Sequence, residues 1–435
     1  ARCCTWSSRA ARCGCGCEPM SLTWHTPAVT SLYCALLERL ARRPATMRLA
    51  YAAGTPIPLW VDPWKFYGLR RYRRFRAELE RTQWLSPADL AQLQARRLRA
   101  LIAHAAARVP HYRALLRERG LTAADFRGVD DLRRLPVLTR SEAVRLGPRL
   151  VAEGLRGARR SSRFARRRCG PGRTSGSTGT PFEFLRDLEF SYRRAAYFDW
   201  RLGLAGCQAA DRHVKIWSRP FLARGEPGIV LHEPGQRRLS LTSEPRAGAD
   251  LSQHLEWIAR FAPAFVVAPP SLLRQLARQA RGSRHGGLRF PVAVSAYEQL
   301  HPFQRHEIEQ QFGCRVFDYY TSEEGLTYAM ECERHQGLHV EIRKGVLEVV
   351  DEDGEPLPPG RPGRIVCTGF DNRVMPLIRY ELGDMGALSA EPCPCGRGLP
   401  LLRGLQGRTS ELLWAGGRPL YPATLAVLLE GLERI

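Results

Sequence analysis

Between residues 182 and 320, short apolar runs alternate with longer segments whose apolar residues recur at helical spacing. Apolar runs of four or five residues are typical of buried strands, and the longer segments are typical of amphipathic helices. The alternation therefore predicts an α/β fold in which helices flank a sheet. The predicted strands are 182–185, 214–217, 264–268, 292–295 and 316–320, and the predicted helices are 187–200, 250–261, 270–281 and 299–312.

The segments on either side of this region follow other patterns. Residues 21–130 are predicted to be helical, because Ser86 precedes a proline in a helix-start pattern and leucines follow at helical spacing as far as Ile102. We expect that helix to end at 109–112, and further helices to begin at Leu115 and Glu142. From residue 346 onward, strand-like runs separated by Asp-Glu-Asp-Gly predict a β region rich in hairpins.

The cysteines and the hydropathy pattern indicate the compartment. Residues 1–20 carry five of the thirteen cysteines and lack the apolar core of a signal peptide, so we expect an over-extended start or a disordered segment there. The other cysteines form no framework of the kind found in small secreted domains. No run of eighteen apolar residues predicts a transmembrane segment. The sequence thus predicts a cytoplasmic protein.

The net charge of +23 suggests nucleic-acid binding at first sight. Apart from Lys65, Lys215 and Lys344, however, the basic residues are all arginines spread along the chain, as a GC-rich coding sequence would produce. We therefore predict no nucleic-acid partner. The arginine runs at 70–76 and 159–168 are interpreted as solvated surface or loop, with peripheral contact to an anionic membrane or partner as the alternative.

A segment rich in glycine and hydroxyl groups follows a basic linker predicted at 156–172. Its residues are Thr174, Ser175, Gly176, Ser177, Thr178, Gly179, Thr180 and Pro181. Glycines let backbone N–H groups converge on one concavity, and the hydroxyls add rotatable donors, so the segment suits phosphate oxygens. It holds no lysine and is not a Walker A motif. By composition alone, a flexible linker is the alternative.

Four further motifs follow the phosphate segment. They are Ser295-Ala-Tyr-Glu-Gln-Leu300, Asp318-Tyr-Tyr-Thr-Ser-Glu-Glu-Gly325, Arg379-Tyr-Glu-Leu-Gly-Asp384 and Gly407-Arg408. With the phosphate segment, they resemble in order the motifs of the adenylate-forming superfamily, and specifically its phenylacetate–CoA ligase-like branch, which includes proteins of capsular polysaccharide synthesis. The resemblance runs from about residue 83 to the C-terminus. It implies a large N-terminal domain, with sheets flanked by helices and a β region, and a small C-terminal lid.

On this basis residues 131–406 form the adenylation core and residues 407–435 begin the lid. In the family, a lysine of the lid contributes to adenylation, and no lysine follows Lys344 here. The resemblance therefore implies an incomplete, truncated lid. We expect either a chain that continues beyond residue 435 or a lineage without that lysine.

The resemblance also assigns residues to the nucleotide. The phosphate segment, with Thr178 among its catalytic members, would hold the β- and γ-phosphates of ATP. Tyr319 would lie near adenine with Ser322 as the adjoining hydroxyl, and Glu323 would help to hold Mg2+ on the phosphates, as a carboxylate commonly does. Tyr320 stands where the family has glycine, a departure that affects the local backbone or the acyl pocket.

Three more residues are assigned in the same way. Asp384 would accept hydrogen bonds from both ribose hydroxyls, with a turn aspartate as the alternative. Arg408 would contact ribose or phosphate and, with Glu323 and Thr178, belong to the catalytic set. Glu298 matches a glutamate of the branch, and its alternative role is that of a carboxylate at a helix start.

A cysteine-rich pair of segments predicts a separate metal site. Cys393 and Cys395 are too close in sequence for an unstrained disulfide with each other, and Cys332 lies about 60 residues upstream in a segment that also contains histidines. Three thiolates and one imidazole suit structural zinc. His339 is the fourth ligand by resemblance to the branch, and His335 is the rival. Ordinary reduced cysteines are the alternative.

The implied reaction is attack of a substrate carboxylate on the α-phosphorus of ATP, giving acyl-AMP and pyrophosphate, followed by transfer to CoA or another acceptor. The alternative is a nucleotide-binding, catalytically weak protein of polysaccharide biosynthesis. The acid itself is not specified, since the candidate pocket residues at 192–200, 217 and 268–271 suit an ordinary core equally well. The sequence also leaves monomer and homodimer open.

Overall fold

Strands form the centre of the described part of the chain. The computed structural model describes residues 69–153, 169–173, 182–217, 231–233, 237–242, 250–407, 413–415 and 418–420. In chain order its strands are β1 (Cys169–Arg173), β2 (Glu183–Asp187), β3 (His213–Trp217), β4 (Leu231–Glu233), β5 (Arg238–Thr242), β6 (Phe265–Ala268), β7 (Val292–Ser295), β8 (Arg315–Thr321), β9 (Tyr328–Glu331), β10 (Leu338–Val340), β11 (Gly345–Val350), β12 (Gly363–Gly369), β13 (Tyr380–Leu388), β14 (Leu401–Arg403), β15 (Leu413–Ala415) and β16 (Arg418–Leu420).

The described helices precede the sheet or cross between its strands. They are α1 (Leu69–Thr82), α2 (Pro87–Arg108), α3 (Pro110–Glu118), α4 (Arg140–Leu146), α5 (Leu188–Leu204), α6 (Ser252–Phe261), α7 (Pro270–Arg281) and α8 (Pro302–Phe312), with short 3-10 turns at Ala123–Asp125, Val129–Arg134 and Gly147–Leu150. None of these helices is long and apolar enough to cross a membrane.

One half of the sheet is parallel. Its strands run in the order β5-β3-β6-β7-β8, and β4 adds an antiparallel edge beside β5. Parallel neighbours need a crossover, and α6, α7 and α8 supply the crossovers that lead to β6, β7 and β8. β6 is buried along its whole length, as is typical of parallel strands with covered faces. The predicted α/β class is confirmed.

The other half of the sheet is antiparallel and continues from β8 in the order β9-β10-β14-β13-β12-β11. The hairpin of β11 and β12 confirms the hairpin prediction for this region. Apolar side chains of both strands pack with those of α2 and α3 in one core, and the parallel half packs with α6, α7 and α8 in another. The sheet thus changes character between β8 and β9, where the Asp318–Gly325 motif lies.

Capping residues place the starts of two predicted helices. The hydroxyl of Ser86 accepts from the backbone N–H of Asp89 (3.1 Å) at the start of α2. At α4, Thr139 Oγ1 accepts from the N–H of Glu142 (3.3 Å), whose carboxylate accepts from the N–H of Thr139 (3.0 Å), a reciprocal capping box. The helix predicted to begin at Leu115 instead begins at Pro110, because proline suits the first helical position.

Two further predictions need correction. The linker predicted at 156–172 gives way to strand β1 at residue 169, and the glycine and proline content of Cys169–Arg173 hid this strand. The helix predicted at 187–200 extends to Leu204. The segments 1–20 and 159–168 lie outside the described residues.

Candidate functional site

The Ser295–Leu300 and Asp318–Gly325 motifs lie on the same edge of the parallel half of the sheet. β7 and β8 pair in parallel, with Ser295 opposite Asp318. Because the carboxyl ends of parallel strands meet at one edge of a sheet, the segments that follow β7 and β8 leave the sheet side by side. Tyr297 and Glu298 follow β7, and the turn 322–325 follows β8. This edge is where ligands bind in open α/β sheets.

A glycine-dependent turn presents Glu323. The carbonyl of Ser322 accepts from the N–H of Gly325 (2.9 Å), and its hydroxyl accepts from the N–H of Leu326 (3.2 Å). Gly325 has φ +64°, and a Cβ there would come within 2.6 Å of the Phe190 ring. Glu323 is half-buried, and its carboxylate makes no hydrogen bond or ion pair with the described residues. A carboxylate held this way suits a hard cation such as Mg2+.

Two tyrosine hydroxyls join this turn to the Arg379–Asp384 motif. Tyr320 donates to Asp384 Oδ2 (2.8 Å), and Tyr380 donates to Glu324 Oε1 (3.3 Å). Burial raises the pKa of Tyr320 well above its usual value, which keeps the hydroxyl protonated as a donor. The tyrosine that replaces the family's glycine is therefore a direct partner of the predicted ribose-binding carboxylate. The motif pattern had assigned no role to this hydroxyl or to Tyr380.

Arg379 anchors its motif from inside the protein. It has φ +51° and is almost fully buried, with Nε 3.2 Å from Glu348 Oε1. Its Nη atoms donate to the carbonyls of Leu135 (2.7 Å) and Gly354 (2.6 Å). These contacts give Arg379 a structural role, fixing the backbone from which Asp384 projects.

The phosphate segment 174–181 lies outside the described residues, but both of its flanks are described. β1 and β2 pair antiparallel, with Arg173 opposite Glu183, so the chain departs and returns at neighbouring positions. Phe182, which immediately follows the segment, stacks on Tyr380 at a centroid distance of 5.8 Å. The flank of the phosphate segment therefore contacts the motif that contains Asp384. The other nucleotide residue outside the described ranges is Arg408.

The remaining predicted nucleotide contacts have other partners. The exposed Glu298 accepts from the N–H of Ser271 (3.3 Å) at the start of α7. This contact favours the alternative role of a carboxylate at a helix start, although α7 precedes the Ser295–Leu300 motif in the chain. Tyr319 is 8% exposed, and the guanidinium of Arg201 lies 3.4 Å from its ring centroid. Contacts of Glu298 and Tyr319 with the nucleotide stay predictions.

The predicted zinc ligands come together in the antiparallel half. One donor atom from each of Cys332, His339, Cys393 and Cys395 lies within 4.8 Å of the others. Cys332 Sγ is 3.7 Å from Cys393 Sγ, and Cys395 Sγ is 3.4 Å from His339 Nε2. Tetrahedral zinc with bonds of ~2.0–2.3 Å places its ligands ~3.3–3.8 Å apart. The donor set and these two distances therefore fit zinc.

The protonation states of this cluster also bear on metal binding. Burial raises the pKa of Cys332 to about 12, and burial together with Arg397 lowers the pKa of His339 to about 4.

His335 lies apart from the cluster: its Nδ1 is 3.0 Å from Glu331 Oε2, and its Nε2 is 3.1 Å from Arg315 Nη2. The geometry thus favours His339 over its rival.

Comparison with known proteins supports the same resemblance that the motifs indicate. No protein-family model matches the chain. The chain is 29% identical over 369 residues to the phenylacetate–coenzyme A ligase of Thermus thermophilus, covering 80% of this chain and 76% of that protein. It is 27% identical over 366 residues to the Escherichia coli enzyme of the same name, covering 80% and 78%. The predicted resemblance to the phenylacetate–CoA ligase-like branch of the adenylate-forming superfamily is confirmed.

Solved structures agree on the fold of this ligase-like protein. A structure of 2-hydroxyisobutyryl-CoA ligase in the postadenylation state with R3-HIB-AMP matches with a TM-score of 0.64 at 19% identity, covering 81% of this chain and 75% of that one. An open conformation of that ligase with 2-HIB-AMP and CoA matches with a TM-score of 0.61. Protein CapK of Staphylococcus aureus is 24% identical over 221 residues, half of this chain and 48% of that protein.

Proposed function

We propose that this ligase-like protein activates a carboxylic acid with ATP as acyl-AMP and transfers the acyl group to CoA or another acceptor. The observation that carries the proposal is the contact between the Asp318–Gly325 motif and the Arg379–Asp384 motif, which the flank of the phosphate segment also contacts. Tyr320 links the Glu323 turn to Asp384, and Phe182, beside the phosphate segment, stacks on Tyr380 of the same motif. Nucleotide contacts by residues 174–181, Tyr319, Ser322, Asp384 and Arg408 are part of the proposal.

In this reaction, an oxygen of the substrate carboxylate forms a bond to the α-phosphorus of ATP, and the bond from that phosphorus to pyrophosphate breaks. The protein contributes chiefly by positioning and charge neutralisation. Tyr320 holds one oxygen of Asp384, the carboxylate that is proposed to bind ribose. Glu323 would hold Mg2+, which neutralises phosphate charge when bound. Six cysteines are free of disulfide bonds, which supports residence in the reducing cytoplasm; they are Cys207, Cys314, Cys332, Cys367, Cys393 and Cys395.

A screen of aryl and fatty acids for acid-dependent pyrophosphate release from ATP tests the proposal. We expect release with at least one class of acid, and acyl-AMP of the matching mass in the absence of CoA. Acid-independent hydrolysis alone across the whole screen would contradict it.

The match to protein CapK favours a second candidate, a nucleotide-binding protein of polysaccharide biosynthesis with little adenylation of its own. Calorimetry distinguishes the two. Binding of ATP or AMP without turnover on any acid would support this second candidate.

We also propose structural zinc at Cys332, His339, Cys393 and Cys395. Metal analysis of the purified protein should find about one zinc per chain, and Cys393→Ser should lose it. Cys314→Ser, which changes a buried cysteine outside the cluster, is the matched control and should retain the metal. Because the buried thiols must ionise to bind zinc, loading should release protons and weaken as pH falls. Equal metal content in wild type and Cys393→Ser would contradict the site.

A further inference from the structure

Helix α5 carries two arginines toward the edge of the sheet where the motifs meet. Arg194 and Arg201 are seven residues, or two helical turns, apart and so share a face of the helix. The guanidinium of Arg201 lies 3.4 Å from the ring centroid of Tyr319 and 4.0 Å from that of Phe198. Arg194 lies within electrostatic range of Glu323 and of three tyrosines, Tyr297, Tyr319 and Tyr328.

Within the described residues, no carboxylate pairs directly with either of these two cations. Arg201 is 2% exposed, and its Nε and Nη1 atoms have no hydrogen-bond partner. Neither Arg201 nor Arg194 forms an ion pair in the part of the chain that the structure describes. A buried guanidinium without an anion is costly, and the face of an aromatic ring offsets only part of that cost. An anionic ligand would supply the missing charge.

The two arginines differ in their main electrostatic neighbours. The electrostatic neighbours of Arg194 include Glu323, the proposed metal carboxylate, whereas those of Arg201 include Tyr319, Tyr297, Tyr328 and Asp199. Arg194 thus has the proposed metal carboxylate among its electrostatic neighbours, and Arg201 lies seven residues farther along α5. An acid whose carboxylate reacts near Glu323 would extend its other end along this helix.

We propose that Arg201, together with Arg194, forms a subsite for a second anionic group of the substrate. The substrates are then acids that carry two anionic groups, above all dicarboxylic acids. The reaction in which such an acid would be used is the one given under the proposed function, and the inference rests on it in that respect. The subsite itself makes a prediction about binding that does not need turnover.

The test uses two pairs of acids that differ by one carboxylate: phenylacetate with 4-carboxyphenylacetate, and hexanoate with adipate. Ligand-induced thermal stabilisation is measured with and without ATP and Mg2+, and acid-dependent pyrophosphate release is measured alongside. A diacid should be preferred by at least about tenfold in wild type, because a buried unpaired charge discriminates against an analogue that cannot satisfy it. Arg201→Gln and Arg194→Gln should each reduce that preference about tenfold, because each weakens use of the diacid more than use of the monoacid.

Arg212→Gln is the matched control. Arg212 also stacks on an aromatic ring, Phe261, at 4.8 Å, but it lies beside the start of β3, at the opposite edge of the parallel strands. It should leave the preference unchanged. Without ligand, Arg201→Gln should melt at or above the wild-type temperature, because it removes an uncompensated buried charge. A clearly lower melting temperature would assign Arg201 to the fold and overturn the subsite.

The outcomes separate the subsite from the reaction. Diacid stabilisation that depends on Arg201, without pyrophosphate release, would support the subsite and contradict the proposed function. Turnover with equal use of monoacid and diacid in wild type and Arg201→Gln would overturn the subsite and leave the function intact. Loss of ATP or inorganic pyrophosphate binding in Arg201→Gln, with the acid preference unchanged, would make the arginine a phosphate contact and also overturn the subsite.

Discussion

Arg193 and Arg194 are consecutive residues of α5 in opposite electrostatic situations. Arg193 donates to Asp371 (2.6 Å), a fully buried carboxylate that also receives Arg97 (3.0 Å) and Lys344 (3.1 Å). Arg194 forms no ion pair with any described residue. Consecutive side chains of a helix point ~100° apart. One side of α5 is therefore tied into the fold, while the neighbouring side retains a cation for a ligand.

The Asp371 cluster shows how a buried charge is made part of a fold. Burial by itself raises the pKa of Asp371, but Lys344, Arg193 and Arg97 outweigh it and hold that pKa well below its usual range. Burial lowers the pKa of Lys344 to about 8 despite its contact with Asp371. The three cations come from α2, α5 and the segment before β11, so one carboxylate joins three parts of the chain. Such mutual compensation is what Arg194 and Arg201 lack.

The largest effect on stability is expected for Asp371→Asn. It leaves three buried cations without a counter-charge, so it should lower the free energy of unfolding by about 3–5 kcal/mol in urea denaturation. Because the folded pKa is depressed, this contribution should persist above the ordinary pKa of 3.8 and fade as pH falls further. Glu256→Gln, at the exposed ion pairs with Arg260 and Arg284, is the control and should cost much less. Equal losses would remove the distinction.

A smaller effect should separate the two neighbours directly. Arg193→Gln removes one of three cations from Asp371 and should lower the free energy of unfolding by about 1.5–3 kcal/mol, while leaving acid preference unchanged. Arg194→Gln should show the reverse pattern. Urea denaturation and the paired-acid assay on the same preparations check both. Two variants with the same stability loss and the same acid preference would show that the sides of α5 are equivalent.

The sequence predicted the local elements and the cysteine–histidine cluster, but it missed the polar contacts that join distant segments. Short patterns located the Ser86 cap, the runs that became β6 and β7, and the Cys-x-Cys spacing of Cys393 and Cys395. The Arg193–Asp371 pair spans 178 positions, and the contact from Tyr320 to Asp384 spans 64. Neither leaves a local signature, because a single charge or hydroxyl does not indicate its partner. Strand β1 was missed because its glycines and proline have low strand propensity.

The carboxylates of Asp384 and Glu323 also differ in their partners, and the effect expected from this difference is the smallest. Asp384 has a hydroxyl donor in Tyr320, whereas Glu323 makes no hydrogen bond within the described residues. Removing the donor in Tyr320→Phe should free the orientation of Asp384 and weaken ATP binding about fivefold by calorimetry, as expected for one hydrogen bond of ~1 kcal/mol. Tyr192→Phe, a buried tyrosine of α5 outside the motifs, is the control. Unchanged or tighter ATP binding in Tyr320→Phe would show that the hydroxyl does not orient the carboxylate for ribose.

The central claim is that Asp384 and the motifs around it form a site for acid activation. It is tested most directly by initial rates of pyrophosphate release with an accepted acid, measured for wild type and Asp384→Ala at matched melting temperature. We expect acid-dependent release in wild type and a loss of at least about a hundredfold in kcat/KM in the variant. Release that is independent of acid in wild type, or a variant that retains the full rate, would contradict it.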